Sequence, residues 1–163
     1  MPDRFAPRLT ARGQLSLESL TLPHSDCSYC HPVSENLIWR GDRCRVIFAT
    51  ETGFPGWTRV VWNDHVEEFS DLTKAERDHV MDVVAEVEQA TRDLLQPRKM
   101  NLHAMGTAAP HLHWHIVPRY EDDSHFPVPV WGNPCRAPLP TDVPASFVTV
   151  LQDLLNREFP AAA

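Results

Sequence analysis

The chain has 163 residues, with 42% apolar and 23% charged positions and 15 Lys and Arg against 22 Asp and Glu, a formal charge of −7. That length suits one domain whose core needs no disulfides, and the acidic balance argues against broad attachment to nucleic acid or an anionic membrane, so any phosphate recognition must be local. No apolar run approaches the roughly 18 residues of a membrane span, and the opening MPDRFAPRLT lacks the continuous apolar stretch of a secretory signal; a cytoplasmic location is expected.

Residues 1 to 23 have no sustained period and read as a flexible tail. Asn36 to Arg40, Cys44 to Ala49 and Thr58 to Trp62 are short runs rich in Ile, Val, Phe and Trp, separated by Gly41-Asp42 and the Gly53 to Gly56 cluster. They predict an antiparallel meander. Thr73-Lys74-Ala75-Glu76 is a capping box opening a helix whose Val80, Val84, Val87 and Leu94 follow helical spacing until Pro97. Met100 to Met105 reads as a strand with Asn101 and His103 on one side and Met100, Leu102 and Ala104 on the other. His79, within the helix, is expected on a solvated face.

Gly106 to Pro110 turns the chain into HLHWHIVPRY, residues 111 to 120. A strand repeats every two residues, so His111, His113 and His115 share one face within roughly 13 Å, while Leu112, Trp114 and Ile116 form a core-facing stripe. The plain alternative is a solvated strand face on which histidines fall by chance. Seven of the fifteen prolines lie between Pro118 and Pro144, which predicts an irregular ordered loop, because each removes a donor and restricts its neighbour. Its His125, Phe126 and Trp131 are either packing residues or aromatic walls for a base. A last helix is expected from about Asp142, capped by Thr141 and turning Phe147, Leu151 and Leu154 inward. Strands, helix, strands, helix give an α+β fold with a mainly antiparallel sheet.

The cysteines at 27, 30, 44 and 135 are expected as thiols or metal ligands, given no secretory signal. Cys27-Ser28-Tyr29-Cys30 has the gap that lets two thiolates chelate one Zn²⁺, but it is half a site. His24, His31 and His65 stand as candidates to complete it, against a reduced surface dithiol and a solvated turn histidine.

The string His111-Leu112-His113-Trp114-His115-Ile116-Val117, with Pro118 and Arg119 after it, resembles the histidine triad (HIT) family of nucleotide hydrolases and transferases. The resemblance runs over about residues 27 to 120, through Cys27-x-x-Cys30, Glu35-Asn36-Leu37, Asn63-Asp64-His65-Val66 and Phe69 to Thr73. It implies a HIT-like sheet of about five strands with two helices, a catalytic core over 24 to 120, and the segment 121 to 163 packed on the same domain. It further implies a homodimer with a nucleotide substrate, and the bacterial zinc-containing type of the family. In the family the middle histidine, here His113, takes the nucleotidyl group as a covalent phosphoramidate. His115 is expected to hydrogen-bond the phosphate or assist proton transfer, and His111 belongs to both the triad and the metal set. One structural zinc per chain is expected on Cys27, Cys30, His65 and His111. Asn101, Thr107 and Arg119 are carried over as substrate contacts, with a surface charge closing the strand as the other reading of Arg119.

The chemistry agrees with that assignment: an imidazole near its unperturbed pKa of about 6.5 is a competent nucleophile once its other nitrogen is held by a hydrogen bond. One departure concerns the substrate. Family members commonly have glutamine and then serine or threonine after the glycine that matches Gly106; here Thr107 and Ala108 stand there. The expected activity is attack at the α-phosphate of a nucleoside phosphoramidate or dinucleoside polyphosphate. A non-catalytic nucleotide-binding or sensing module is the alternative that Ala108 motivates. A catalytic metal held by His113 and His115, with Asp122 or Asp123 as the carboxylate, is the third reading.

Overall fold

The computed structural model describes residues 24, 26–49 and 53–160; the stretch read as an N-terminal tail lies outside them. Five strands, β1 (Leu37–Arg40), β2 (Cys44–Phe48), β3 (Thr58–Trp62), β4 (Lys99–His103) and β5 (His113–Arg119), form one sheet in the order β1-β2-β3-β5-β4. Every neighbouring pair is antiparallel. With helices α1 (Lys74–Leu95) and α2 (Ser146–Glu158), this is the α+β architecture that the pattern predicts.

Alternation assigns the two faces. Val46, Val60, Trp62 and Ile116 point to the helical side and join Val80, Val83, Val84 and Val87 of α1 in the main core. Thr73 caps α1 by accepting from the Glu76 amide, and the Glu76 side chain returns to the Thr73 amide, as the four-residue motif predicts. The helix ends on Gln96 in the left-handed conformation, directly before Pro97. His79 departs from its expected solvated place: it is half-buried, with its ring edge-on to Phe159 at 5.7 Å.

α2 starts four residues later than predicted. Pro144 has no amide to donate and disfavours helical backbone at Val143, so Thr141 caps nothing and the first turn forms after it, with the Phe147 amide donating to the Pro144 carbonyl at 2.8 Å. Phe147, Leu151 and Leu155 are fully buried, while Leu154 is only partly so. Each such side chain contributes about 2 kcal/mol through burial, which anchors the helix to α1 and β1.

The opposite face of the sheet carries Arg45 and Ile47 on β2, Arg59 and Val61 on β3, His113, His115 and Val117 on β5, and Asn101 and His103 on β4. Register aligns them across the strands: Arg45 with Val61, Val61 with His113, Arg59 with His115, and His103 with His115. A smaller core of Ala49, Phe54, Trp57 and Val117, with Val130 packed on it, secures the proline-rich segment to this face.

Candidate active site and metal centre

His111, His113 and His115 are 1%, 4% and 8% exposed; they are inside the protein rather than on a solvated strand face. Their hydrogen bonds assign the protons. Carbonyls only accept, so His111 donates from Nε2 to the Trp62 carbonyl (2.6 Å) and His113 donates from Nδ1 to the His111 carbonyl (2.6 Å). His115 Nδ1 accepts from Trp57 Nε1 (3.1 Å) and Arg59 Nε (3.2 Å), which leaves the proton of neutral His115 on Nε2. That atom lies 3.1 Å from Nε2 of His113. The lone pair of His113 Nε2 is therefore the one basic, oriented nitrogen of the pair.

Burial disfavours the charged form of each ring. His113 and His111 are held below the usual imidazole range chiefly by desolvation. His115 is pushed down to about 3 by burial and by the nearby His113 and Arg59. All three are neutral near pH 7, which is the state a nucleophilic imidazole needs.

The segment before β1 closes over this face. Arg45, 2% exposed, donates from Nε to both carboxylate oxygens of Glu35 (2.9 and 3.0 Å) and from Nη2 to the Tyr29 carbonyl (2.8 Å). The Tyr29 ring then lies 4.7 Å from that of His113 and 5.5 Å from that of His111, evidence that the two histidines share a side. On the other flank, the Gly106 backbone runs close above His113: a Cβ at that residue would stand 3.6 Å from His113 Cε1 and 3.0 Å from the Ala109 carbonyl.

The same fold assembles a second cluster. One ligand atom each from Cys27, Cys30, His65 and His111 lies within 4.8 Å of the others. Cys27 Sγ is 3.4 Å from His111 Nδ1, Cys30 Sγ is 3.6 Å from it, and Cys30 Sγ is 3.3 Å from His65 Nδ1. Sulfur and nitrogen ligands of a tetrahedral zinc, at about 2.3 and 2.0–2.1 Å from the ion, stand about 3.5 Å apart. The four donors therefore fit one metal ion, and His111 offers Nδ1 because its Nε2 proton is held by Trp62. His24 stacks on His65 at 5.3 Å, and neither it nor His31 joins the donor set. It is the one such group found among the described residues.

Two cavities lie near the triad, one on the far side of Tyr29, whose ring meets that of His113, and one bounded by His113 itself. One, about 280 Å³, is lined by Tyr29, Glu35, Asn36, Ile47, Phe48 and Arg59 among others. A second, about 400 Å³, is bounded by Glu67, Glu68, Gly106, Thr107, His111 and His113.

The family model of the HIT domain matches residues 32–122. The chain belongs to the HIT family. Solved structures agree. The histidine triad protein of Bradyrhizobium japonicum is 27% identical, with a TM-score of 0.61 over 77% of this chain and 90% of that one. Those of Marinobacter aquaeolei (20% identical, TM-score 0.62, 86% and 96% covered) and Sinorhizobium meliloti (23%, 0.62, 74% and 90%) share the fold. No curated protein matches.

Within this HIT chain two of the three expected substrate contacts, Asn101 and Arg119, are hydrogen-bonded to each other, and Thr107 stands apart from them. Thr107 is exposed at the rim of the cavity beside His113. Arg119 is 3% exposed, so it is not a surface charge closing the strand. It donates from Nε and Nη2 to Asp123 (2.7 and 3.0 Å), from Nη1 to Asn101 Oδ1 (2.8 Å) and from Nη2 to the Val128 carbonyl (3.0 Å). Asp123 is thus engaged by Arg119 and Asp122 is exposed; among the described residues neither forms a metal-ligating group with His113 and His115, as the third reading required.

Sequence reading missed five residues of this HIT site. Tyr29 lay inside the Cys-x-x-Cys spacer, Trp57 and Arg59 reach His115 through strand register, and Asp123 was read only as a possible ligand. His103, placed on the side of Asn101, in fact stacks on His115 at 4.8 Å and 21° between planes; its shared face with Asn101 was the available signal.

Proposed function

We propose that this HIT protein is a nucleotide hydrolase or transferase acting at the α-phosphate of nucleoside phosphoramidates or dinucleoside polyphosphates. The observation that carries the reading is the unprotonated Nε2 of His113, fixed by the Nδ1 bond to the His111 carbonyl and faced at 3.1 Å by the Nε2 of His115. His113 Nε2 forms a bond to phosphorus as the bond to the leaving group breaks, and the leaving group departs with a proton from solvent. Water then adds to phosphorus and gives up a proton to solvent, the phosphorus–nitrogen bond breaks, and the nucleoside monophosphate leaves with His113 restored. Neutral His115 donates its Nε2 proton in a hydrogen bond to a phosphate oxygen, stabilising charge that develops in the transition state. Arg59 and Tyr29 border the cavity offered to the nucleoside.

The metal proposed for Cys27, Cys30, His65 and His111 is zinc, one per chain. Four protein ligands leave no open position, so its contribution is structural: a cross-link between the N-terminal segment, the 63–69 connection and the catalytic strand. A homodimer and a cytoplasmic location complete the proposal; no helix among the described residues is long and apolar enough to cross a membrane.

Ala108, which supplies no hydroxyl beside the site, supports a second reading, a nucleotide-binding module without turnover. Quenching a reaction with substrate and examining the protein by mass spectrometry separates the two. A nucleotidyl adduct on His113 is the expected result. A melting-temperature rise with ligand, with neither adduct nor product, supports the binding module instead.

A further inference from the structure

A third cavity, about 410 Å³, lies between β4 and the proline-rich segment and is lined by Asn101, His103, Arg119, Pro127, Pro129 and Trp131 among others. Its size falls within the range of ligand sites, roughly 300–1,000 Å³. It is joined to the catalytic pair by successive ring contacts. His113 meets His115 at 4.8 Å, His115 meets His103 at 4.8 Å, and His103 meets the edge of Trp131 at 5.4 Å. Trp131 is 60% exposed, an unusual place for the largest apolar side chain on an ordered segment, and its exposed surface borders the groove.

The charges of the groove decide what suits it. On this face β4 presents Lys99, Asn101 and His103 in alternation, with Arg119 opposite Lys99. Asp123 faces inward to Arg119 and its two oxygens are taken up by the guanidinium and by the amides of Tyr120, His125 and Phe126. Four of the five N–H groups of Arg119 are used by Asp123, Asn101 and Val128, which leaves one Nη1 proton. With Asn101 Nδ2 also donating to the Met100 carbonyl at 3.3 Å, the groove offers the remaining protons of Arg119, Asn101 and His103 along its floor and a flat indole at its outer wall. The cavity beside Thr107, by contrast, carries the carboxylates Glu67 and Glu68 and is unsuited to an anionic chain.

We propose that this groove is a leaving-group subsite that takes a nucleoside polyphosphate, its phosphates running past His103 and Asn101 toward Lys99, which lines the adjoining cavity with Asn101 and Arg119, and its base stacked on Trp131. The inference rests on the hydrolase reading given above and narrows it: a dinucleoside polyphosphate occupies both sides of His113, whereas a simple phosphoramidate occupies only the side of Tyr29 and Arg59. Base stacking on an aromatic side chain is worth about tenfold or more in affinity, and it is made equally in the ground and transition states, so it acts through KM.

The test compares kcat/KM for a dinucleoside polyphosphate with that for the phosphoramidate of the same nucleoside whose leaving group is ammonia. In Trp131→Ala the ratio of the two is expected to fall about tenfold, through KM of the first substrate, and Trp131→Phe is expected to restore most of it. A general structural role for Trp131 would lower both substrates together and leave the ratio unchanged, which would overturn the subsite. So would a wild-type protein that cleaves the phosphoramidate but not the dinucleoside polyphosphate. If the wild type turns over neither, the hydrolase reading itself has failed, and the subsite goes with it.

Discussion

Nε2 of His113 and Nε2 of His115 face each other at 3.1 Å, with the proton on the His115 side. The order of protons runs outward from two donors that cannot accept, Trp57 and Arg59, through His115 to His113 and on to the His111 carbonyl. Replacing His113 with Asn removes the only atom placed to bond phosphorus. Turnover is expected to fall at least about a thousandfold, with little change in melting temperature, since a polar side chain of smaller volume remains opposite Tyr29. Steady-state rates beside a circular-dichroism melt check this; full activity in that variant would refute the nucleophile.

The donors behind His115 carry their own consequence. Trp57→Phe combined with Arg59→Met leaves Nδ1 of His115 without a partner, so the proton is free to move there from Nε2. A loss of roughly 10–100-fold in kcat is expected, as for other partners that orient a working imidazole. Nitrogen NMR of the imidazoles should show His115 as a mixture of tautomers in the variant and a single one in the wild type. An unchanged spectrum with unchanged rates would show that these contacts do not set the tautomer.

Much of this arrangement was legible in the sequence because it is local. The two-residue period places His113 and His115 on one side of β5 whatever the neighbours are, while His111, two residues before the strand begins, is shown on that side by its contact with Tyr29; Thr73 with Glu76 starts α1 by a four-residue motif. Leu155 rather than Leu154 fills the core, and α2 waits until after Pro144, because a loop proline outweighs a good capping residue upstream. What stayed hidden depends on register and burial. Nothing in the strand around Arg59 says that it lies opposite His115. Arg119 reads as a strand-ending charge until Asp123, four residues on, is seen turned back beneath it. The Cys27-x-x-Cys30 half-site likewise left His24, His31 and His65 open, and only the path of the 63–69 connection selects His65.

The cluster of Cys27, Cys30, His65 and His111 predicts that the protein as isolated carries about one zinc per chain. Because the ligands come from three separated stretches, removing the metal leaves the N-terminal segment held chiefly by Arg45 and Glu35. A strong chelator, or Cys30→Ser, is expected to lower the melting temperature by roughly 10 °C or more. Elemental analysis and differential scanning calorimetry decide it. Metal-free protein that melts where the untreated protein does would remove the proposed centre, without touching the assignment of His113.

Arg119 and Asp123, 3% and 0% exposed in their side chains, form the one contact that ties the proline-rich segment to the end of β5 through a buried ion pair. Breaking one partner strands the other's charge, and Asp123→Asn is therefore expected to cost about 3–5 kcal/mol. Burial alone would push the Asp123 carboxyl up, but the Arg119 guanidinium and the amides of His125 and Phe126 outweigh it and hold the group below the usual carboxylate range. A folded pKa below the unfolded one means that the unfolded chain binds this proton more readily. The stabilisation is thus fully present above the unfolded value of about 3.9 and is lost as pH falls from there through the lower folded value. Hydrogen exchange of the amides of Tyr120, His125 and Phe126 should stay slow at pH 5 and accelerate only as pH falls below the unfolded value of about 3.9, relative to amides of α1 in the same protein. In Asp123→Asn the selective acceleration should disappear, since no carboxylate remains to titrate; its persistence in that variant would assign the acid sensitivity to another group.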